Sequence, residues 1–139
     1  MLYTLVDTGM WFAMFDPRDQ HRPQVEQKAE LLDLCSVILP WPTLYEALRT
    51  RLVRNQQALQ QFEQYLKRPH VQYLDDSAYR DLALGLAFSS ALQMGRPLSM
   101  VDCLIRLILD DVNVRVDCLA TFNTGDFIDV CQRRQIEII

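Results

Sequence analysis

Five short apolar segments recur along this chain, and a longer segment with helical periodicity separates each one from the next. The apolar segments are four or five residues long and contain mainly leucine, isoleucine, valine and tyrosine, which is typical of buried strands. We predict strands at residues 2–6, 36–39, 71–74, 117–121 and 136–139. Because helical crossovers return each strand in the same direction, the alternation predicts an α/β fold. Its core is a central five-stranded parallel sheet with helices on both faces.

Helix start and stop signals delimit the segments between the strands. Pro42 suits the first turn of a helix, and Asn55 and Ser99 suit N-caps. Gly95 and Pro97 suit a helix end. We predict helices at residues 10–15, 23–34, 42–53, 55–67, 77–94, 99–112 and 126–134. In the sixth of these, an apolar stripe is formed by Val101, Leu104, Ile105, Ile108 and Val112. No repeat, linker or charge block is present, so we predict one domain over residues 1–139.

Composition and charge exclude several classes of protein. No apolar run approaches the roughly 20 residues of a membrane span, and the N-terminus lacks the basic region of a signal peptide. We therefore expect a cytoplasmic protein with no membrane partner and four reduced cysteines. With no CxxC pair and two histidines, a structural zinc site is not expected. The formal charge of -4 argues against binding nucleic acid through bulk positive charge.

Four acidic residues fall where a parallel sheet would gather them. Asp7 directly follows the first predicted strand, and Asp126 lies in the loop after the fourth. Glu46 and Asp102 lie in the first turns of two predicted helices. Open parallel sheets bind ligands just beyond the carboxyl ends of their strands. The four acids are therefore expected to meet at one edge of the sheet.

Carboxylates gathered in this way need a cation. Two unit charges 4 Å apart repel by about 4 kcal/mol at an effective dielectric constant of ~20, and hard divalent cations relieve that repulsion. Mg²⁺ is usually held by a few carboxylates together with waters and substrate phosphate. Such a site can activate water and stabilise the attacking and leaving oxygens of a phosphodiester.

Each acid also has a purely structural explanation. Asp7 and Asp126 suit helix caps or turns, and Asp102 completes a capping box. Glu46 suits an ion pair with Arg49 three residues later. These explanations account for each acid separately, but not for the placement of all four beside predicted strand ends.

Four segments, in a fixed order, extend over nearly the whole chain. They are LVDT at 5–8, PTLYEAL at 42–48, LSMVDCLI at 98–105 and LATFNTGDF at 119–127. In order and spacing these segments resemble those of the PIN-domain nucleases and, among them, the VapC-type toxins of toxin–antitoxin pairs. The most specific piece is the Thr-x-Asn-x-x-Asp-Phe sequence in the last segment.

The resemblance implies a PIN fold and RNA cleavage that depends on Mg²⁺ or Mn²⁺. A metal-polarised water would attack the phosphodiester in line and leave 5′-phosphate and 3′-hydroxyl ends. The resemblance also implies a homodimer and a small antitoxin that inserts into the active-site groove. The catalytic metal ligands that it implies are Asp7, Glu46, Asp102 and Asp126, and the supporting polar residues are Thr8 and Asn123.

Basic and aromatic side chains near the acids are candidates for RNA contacts. Arginines that could hold phosphates or lie on solvated helix faces are Arg49, Arg51, Arg54, Arg133 and Arg134. Aromatic residues that could stack on bases or pack in a core or dimer interface are Trp11, Phe12, Phe15 and Trp41.

Three other functions compete with a toxin ribonuclease. The same metal site could serve a nuclease for DNA or for general RNA processing, or the chain could be a catalytically inactive binding module. A phosphoacceptor receiver domain also has an acidic Mg²⁺ pocket on a parallel sheet. It would need a lysine late in the chain, and the last lysine is Lys67, so we set that hypothesis aside.

Overall fold

Five parallel strands form one sheet in the computed structural model, which describes residues 1–49 and 51–139. The strands are β1 (Tyr3–Val6), β2 (Ser36–Pro40), β3 (Val71–Leu74), β4 (Cys118–Ala120) and β5 (Glu137–Ile138). Every neighbouring pair is parallel, and the spatial order is β3-β2-β1-β4-β5. The predicted five-stranded parallel sheet is confirmed, and the predicted strand boundaries differ from the observed ones by at most one residue.

The first strand lies at the centre of the sheet. The chain builds outward from β1 through β2 to β3, and then crosses to β4 on the other side of β1. The order of the strands therefore reverses between β1 and β4, where open sheets bind ligands. Val6 pairs with Ala120 in the parallel register, and the Asp7 N–H donates to the Ala120 carbonyl at 3.0 Å. Asp7 and Thr121 thus leave adjacent strands side by side.

Seven α-helices surround the sheet in the part of the chain that the structure describes. They are α1 (Thr8–Phe15), α2 (Arg22–Asp33), α3 (Trp41–Ala47), α4 (Gln56–Leu66), α5 (Arg80–Leu92), α6 (Met100–Asp110) and α7 (Thr124–Arg134). The predicted caps are confirmed: Asn55 accepts from the Ala58 N–H, and Ser99 accepts from the Asp102 N–H, both at 3.1 Å.

Six helix boundaries differ from the prediction by two residues or more. Three of these differences are small: α1 and α7 begin two residues earlier than predicted, and α5 ends two residues earlier. The other three change the interpretation of a segment. The helix predicted over 42–53 ends at Ala47, and position 50 lies outside the described residues; Leu52 is fully buried in the core. The helix predicted from Ser77 begins with a single 3-10 turn, and α5 follows it. Val112 lies beyond the end of α6 and is 73% exposed, so its assignment to the apolar stripe is wrong. The helix ends at Asp110; the backbone of Asp111 is extended, and its carboxylate accepts from the Asn113 N–H.

Helices cover both faces of the sheet, as predicted. Successive strand side chains point to opposite faces, and accordingly Leu5 and Val6 belong to two different core clusters. On one face, aromatic residues of α1 and α4 pack beside Val6. On the other face, Ile105 of α6 and Phe127 of α7 pack beside Leu5. Because α6 and α7 are packed on the sheet by these apolar side chains, their N-terminal turns have fixed positions at its carboxyl edge.

The four cysteines are free and buried. Burial raises the pKa of the Cys103, Cys118 and Cys131 thiols. Among the described residues, no helix combines the length and the apolar character that crossing a membrane requires.

Candidate metal centre

Asp7 lies between β1 and α1 and is held rigidly. It is only 7% exposed. Its Oδ1 accepts from the Thr8 N–H at 2.7 Å, and its Oδ2 accepts from the Thr121 hydroxyl at 2.9 Å. Burial raises the pKa of Asp7; these hydrogen bonds oppose that effect, and the charges of Glu46 and Asp126 add to it. Asp7 therefore caps α1, as its structural explanation predicts, and also points a fixed carboxylate into the site.

Glu46 comes from the last turn of α3 and is tied to the same helix start. Its Oε1 accepts from the hydroxyl of Thr8 at 2.6 Å, and Thr8 is buried. The ion pair with Arg49 is not formed: among the described residues, no basic side chain lies within 4 Å of Glu46. Thr8 thus links two of the predicted ligands.

Asp102 lies in the first turn of α6, which Ser99 caps. Its carboxylate is partly buried. Burial, together with the charges of Asp7 and Asp126, raises the pKa of Asp102 to about 6. Glu46 makes a smaller contribution, so the charges of the other three acids all act on Asp102 at this edge of the sheet.

Asp126 lies in the first turn of α7, after the N-cap residue Asn123. Its charge raises the pKa of both Asp7 and Asp102, although Asp126 itself does not line the cavity described below. Asn123 is exposed, and its N–H donates to the Thr121 hydroxyl at 3.0 Å. Asp126 is therefore near the other acids but set back from the opening.

In the part of the chain that the structure describes, no salt bridge neutralises the four acids. Within residues 1–49 and 51–139, none of them forms an ion pair within 4 Å. Oxygen donors of this kind suit hard cations such as Mg²⁺. In the same residues, no three histidine, cysteine or carboxylate side chains converge closely enough to hold an ion by themselves. Since Mg²⁺ usually keeps several waters, the donor set is compatible with an ion that is only partly ligated by protein.

A cavity of about 520 Å³ opens in front of three of the acids. Asp7, Glu46 and Asp102 are among the residues that line it, and so are Phe12 and Phe122. This volume is within the range of small-ligand pockets, roughly 300–1,000 Å³. The cavity is therefore large enough to hold a small ligand, or part of a larger one, beside the carboxylates.

The arginines that the sequence offers as RNA contacts lie in three different places. Arg49 and Arg51 line the cavity, but the Arg51 guanidinium is bound by the carboxylates of Asp16 and Asp19. Arg54 lines a separate cavity. Arg133 and Arg134, which the sequence offered either as RNA contacts or as residues of a solvated helix face, do not lie beside the acids. They lie at the far end of α7, where Arg133 pairs with Asp110 and Arg134 donates to the Leu109 carbonyl, because an 11-residue helix separates its ends by about 15 Å.

The aromatic candidates also separate. Trp11 is fully buried, and Phe15 packs with it in the core. Phe12 lines the cavity. Trp41 stacks on Tyr73 at the exposed edge of the sheet, with ring centroids 5.2 Å apart. Only Phe12 among the four lies beside the predicted ligands.

Sequence analysis missed two further features of the site. Thr121 is 2% exposed and orients Asp7; its position at the end of the fourth predicted strand, as the first residue of the Thr-x-Asn-x-x-Asp-Phe sequence, was the available signal. His21 stacks on Phe122 with ring centroids 4.1 Å apart, and both line the cavity. No local sequence signal connects these two residues, which are far apart along the chain.

Comparison with known proteins identifies the fold. No protein-family model matches the chain, and no curated protein matches it. The crystal structure of FitAcB from Neisseria gonorrhoeae superposes with a TM-score of 0.59 at 17% identity, covering 98% of this chain and 96% of that chain. The structure of FitAB bound to an IR36 DNA fragment superposes with a TM-score of 0.61 at 18% identity, covering 98% and 93%. This chain has the PIN-like fold of FitB.

Proposed function

We propose that this PIN-like chain is a metal-dependent endoribonuclease that holds Mg²⁺ or Mn²⁺ through Asp7, Glu46, Asp102 and Asp126. One observation supports the proposal: at the strand switch point the charges of the neighbouring acids raise the pKa of Asp7 and Asp102. Among the described residues, no basic side-chain nitrogen lies within 4 Å of any of the four carboxylates. A bound divalent ion would remove that repulsion. When bound, the ion supplies a polarised water and charge stabilisation for phosphodiester hydrolysis.

The protein's own contribution is to orient the ligands. Thr121 and the Thr8 N–H fix both oxygens of Asp7, and the Thr8 hydroxyl fixes Glu46. Helix N-terminal turns carry Asp102 and Asp126. Because ligands that are already oriented lose little entropy on binding, this arrangement favours an ion at the sheet edge over one elsewhere on the acidic surface.

The cavity supports a nucleic-acid substrate. Its walls offer the aromatic rings of Phe12 and Phe122 for base stacking and the exposed Arg49 side chain for a phosphate. Because the chain carries a net charge of -4, the contact with RNA would be local, through the metal and these side chains. Strong salt dependence from bulk counterion release is not expected.

The direct test is cleavage by the purified chain. We expect single-stranded RNA to be cut with Mn²⁺ or Mg²⁺ present, and cleavage to stop when a chelator is added. The products are expected to carry 5′-phosphate and 3′-hydroxyl ends, and Asp7→Asn is the inactive control. Cleavage of DNA alone would instead favour a DNA-processing nuclease, and metal binding without cleavage of either substrate would favour a binding module.

A toxin role adds a protein partner to the proposal. FitAB is solved as a complex bound to DNA, and by analogy we propose a small antitoxin that covers the carboxylate cavity. We expect induced expression of the chain to arrest growth and co-expression of an adjacent small gene to restore it. Growth curves with Asp7→Asn, which should not arrest growth, provide the control. Normal growth with active enzyme would reject the toxin role and leave the nuclease assignment intact.

The outer face of α5 supports a homodimer. Leu84, Phe88 and Leu92 follow one another at helical spacing and are 50–79% exposed. No charged residue occurs from position 82 through position 95. An exposed apolar stripe of this kind marks an interaction surface, and an uncharged one can pack against its own two-fold copy. We propose a second copy of this chain as its occupant.

Light scattering coupled to gel filtration tests the dimer. We expect twice the chain mass for the wild type and the monomer mass for Phe88→Glu, because a carboxylate would be buried unpaired in the interface. Leu34→Glu is the matched control, since Leu34 is 75% exposed on another helix end and its replacement should leave the dimer intact. A wild-type monomer at micromolar concentration would contradict this assignment.

A further inference from the structure

Arg106 connects the two helices that carry Asp102 and Asp126. It lies one helical turn after Asp102 on α6, and its side chain is only 15% exposed. One guanidinium nitrogen donates to the main-chain carbonyl of Asp126 at 2.7 Å, and the two terminal nitrogens bind the Asp129 carboxylate, each at 2.7 Å. These hydrogen bonds hold the pKa of Asp129 well below its usual range.

A second arginine holds the preceding residue of the same turn. Arg96 donates to the Gly125 carbonyl at 2.8 Å and lies 3.5 Å from the Asp129 carboxylate. Arg96 follows Gly95 in the turn after α5. Gly95 has a left-handed φ of 65°, which glycine adopts without strain. We call Arg96, Arg106 and Asp129 the arginine clamp. The two arginines of the clamp donate hydrogen bonds to the successive main-chain carbonyls of Gly125 and Asp126, in the first turn of α7.

The position of the clamp is unusual for basic side chains. Arginine is favoured near the C-terminus of a helix and opposed by the helix dipole near the N-terminus. Here two arginines bind the N-terminal turn of α7, and Asp129 supplies the negative charge that compensates them. The same turn carries Asp126, whose charge repels Asp102. Without the clamp, that repulsion would favour a larger separation between the two carboxylates.

We propose that the arginine clamp positions Asp126 relative to Asp102 so that both carboxylates reach the same divalent ion. Arg106 acts through the main chain of α7 and is a positioning residue; it does not contact the ion. This inference rests on the proposed metal-dependent function. The proposed effect of the clamp is on metal affinity. That effect can be measured separately from any effect of the clamp on the stability of the contact between α6 and α7.

The test is Mn²⁺ binding by calorimetry to Arg106→Gln. Loss of partners that orient metal ligands typically costs 10–100-fold in affinity, so we expect Mn²⁺ to bind at least ~10-fold more weakly. The Mn²⁺ concentration for half-maximal cleavage should rise by the same factor, while cleavage at saturating Mn²⁺ stays within about three-fold of wild type. Arg106→Lys, which keeps the charge and one hydrogen bond, should be intermediate.

Arg133→Gln is the matched control. Arg133 binds Asp110 at 3.0 Å, so it also joins α7 to α6, but at the end remote from the acids. Its replacement should leave Mn²⁺ affinity unchanged, whatever its effect on the melting temperature. If Arg106→Gln does not fold, Asp129→Asn tests the same assembly, and weaker Mn²⁺ binding by that variant supports the clamp.

The outcomes separate the clamp from the proposed function. If the wild type binds Mn²⁺ and Arg106→Gln binds it equally well, the clamp is only structural, and the inference is overturned while the nuclease assignment stands. If the wild type binds no Mn²⁺, both fail. An equal loss of affinity in Arg133→Gln would also overturn the inference, since any weakening of the helix contact would then suffice.

Discussion

Replacing Asp102 with asparagine is expected to reduce Mn²⁺-dependent RNA cleavage at least ~100-fold, since even outer partners of metal ligands are worth 10–100-fold. The substitution removes one negative charge with almost no change in volume. Ser99 would still cap α6, because the cap bond is made to the main-chain N–H of residue 102. The measurement is a cleavage rate at several Mn²⁺ concentrations, with a circular dichroism spectrum to confirm the fold.

The same substitution should stabilise the metal-free protein at neutral pH. The pKa of Asp102 is raised from 3.8 to about 6 by burial and by the charges of Asp7 and Asp126. Between about pH 4 and pH 6 the folded state therefore holds a proton that the unfolded state has lost, and stability falls as the pH rises through this window. Above pH 6 the ionised Asp102 destabilises the fold fully. Asparagine removes that penalty, on the order of 1 kcal/mol after allowance for solvent screening of a partly exposed group.

Thermal melts of chelator-treated protein test this reversal. We expect Asp102→Asn to melt a few degrees above the wild type at pH 7.5, and the difference to shrink toward pH 4. Asp110→Asn is the control, because Asp110 is exposed at the other end of α6 and pairs with Arg133; it should cleave RNA normally and gain no stability. A lower melting temperature for Asp102→Asn, or undiminished cleavage, would contradict the assignment of Asp102 to a cation site.

Replacing Trp11 with alanine is expected to destabilise the fold by about 3–5 kcal/mol, which is typical for deleting a buried large aromatic side chain. Trp11 is fully buried, and its ring centroid lies 5.4 Å from those of both Phe62 and Tyr65. The deletion would leave a cavity between α1 and α4 that rigid neighbours cannot fill. The measurement is the free energy of unfolding in urea at equilibrium.

Trp11→Phe separates packing from the indole N–H. Among the described residues, the indole nitrogen of Trp11 has no hydrogen-bond partner, so phenylalanine loses volume but leaves no new polar group unpaired. We expect a cost below about 1.5 kcal/mol, as for conservative core replacements. If Trp11 stacked on RNA bases instead, Trp11→Ala would weaken RNA binding and leave the unfolding curve unchanged.

The parts of this fold that depend on residues close together in sequence were predictable. The strand boundaries and the caps at Asn55 and Ser99 came from periodicity and cap chemistry, because the hydrogen bonds that terminate a helix are made within three or four residues. The placement of Asp7 and Asp126 followed from the same logic. Once the strands are parallel, residues at their carboxyl ends must lie at one edge of the sheet.

Tertiary structure decided which arginines are already paired with acids and which lie near the candidate metal ligands. Arg51 and Arg133 both looked available along the chain, yet one is bound by Asp16 and the other lies beside Asp110, at the far end of its helix from the acids. Trp11 could equally have faced solvent, and packing against α4 buried it. These outcomes depend on residues far apart in sequence, whose distances are set only when the helices pack on the sheet. The sequence alone determined which acids lie at one edge of the sheet. Three-dimensional packing determined that, among the described residues, no arginine forms an ion pair with them.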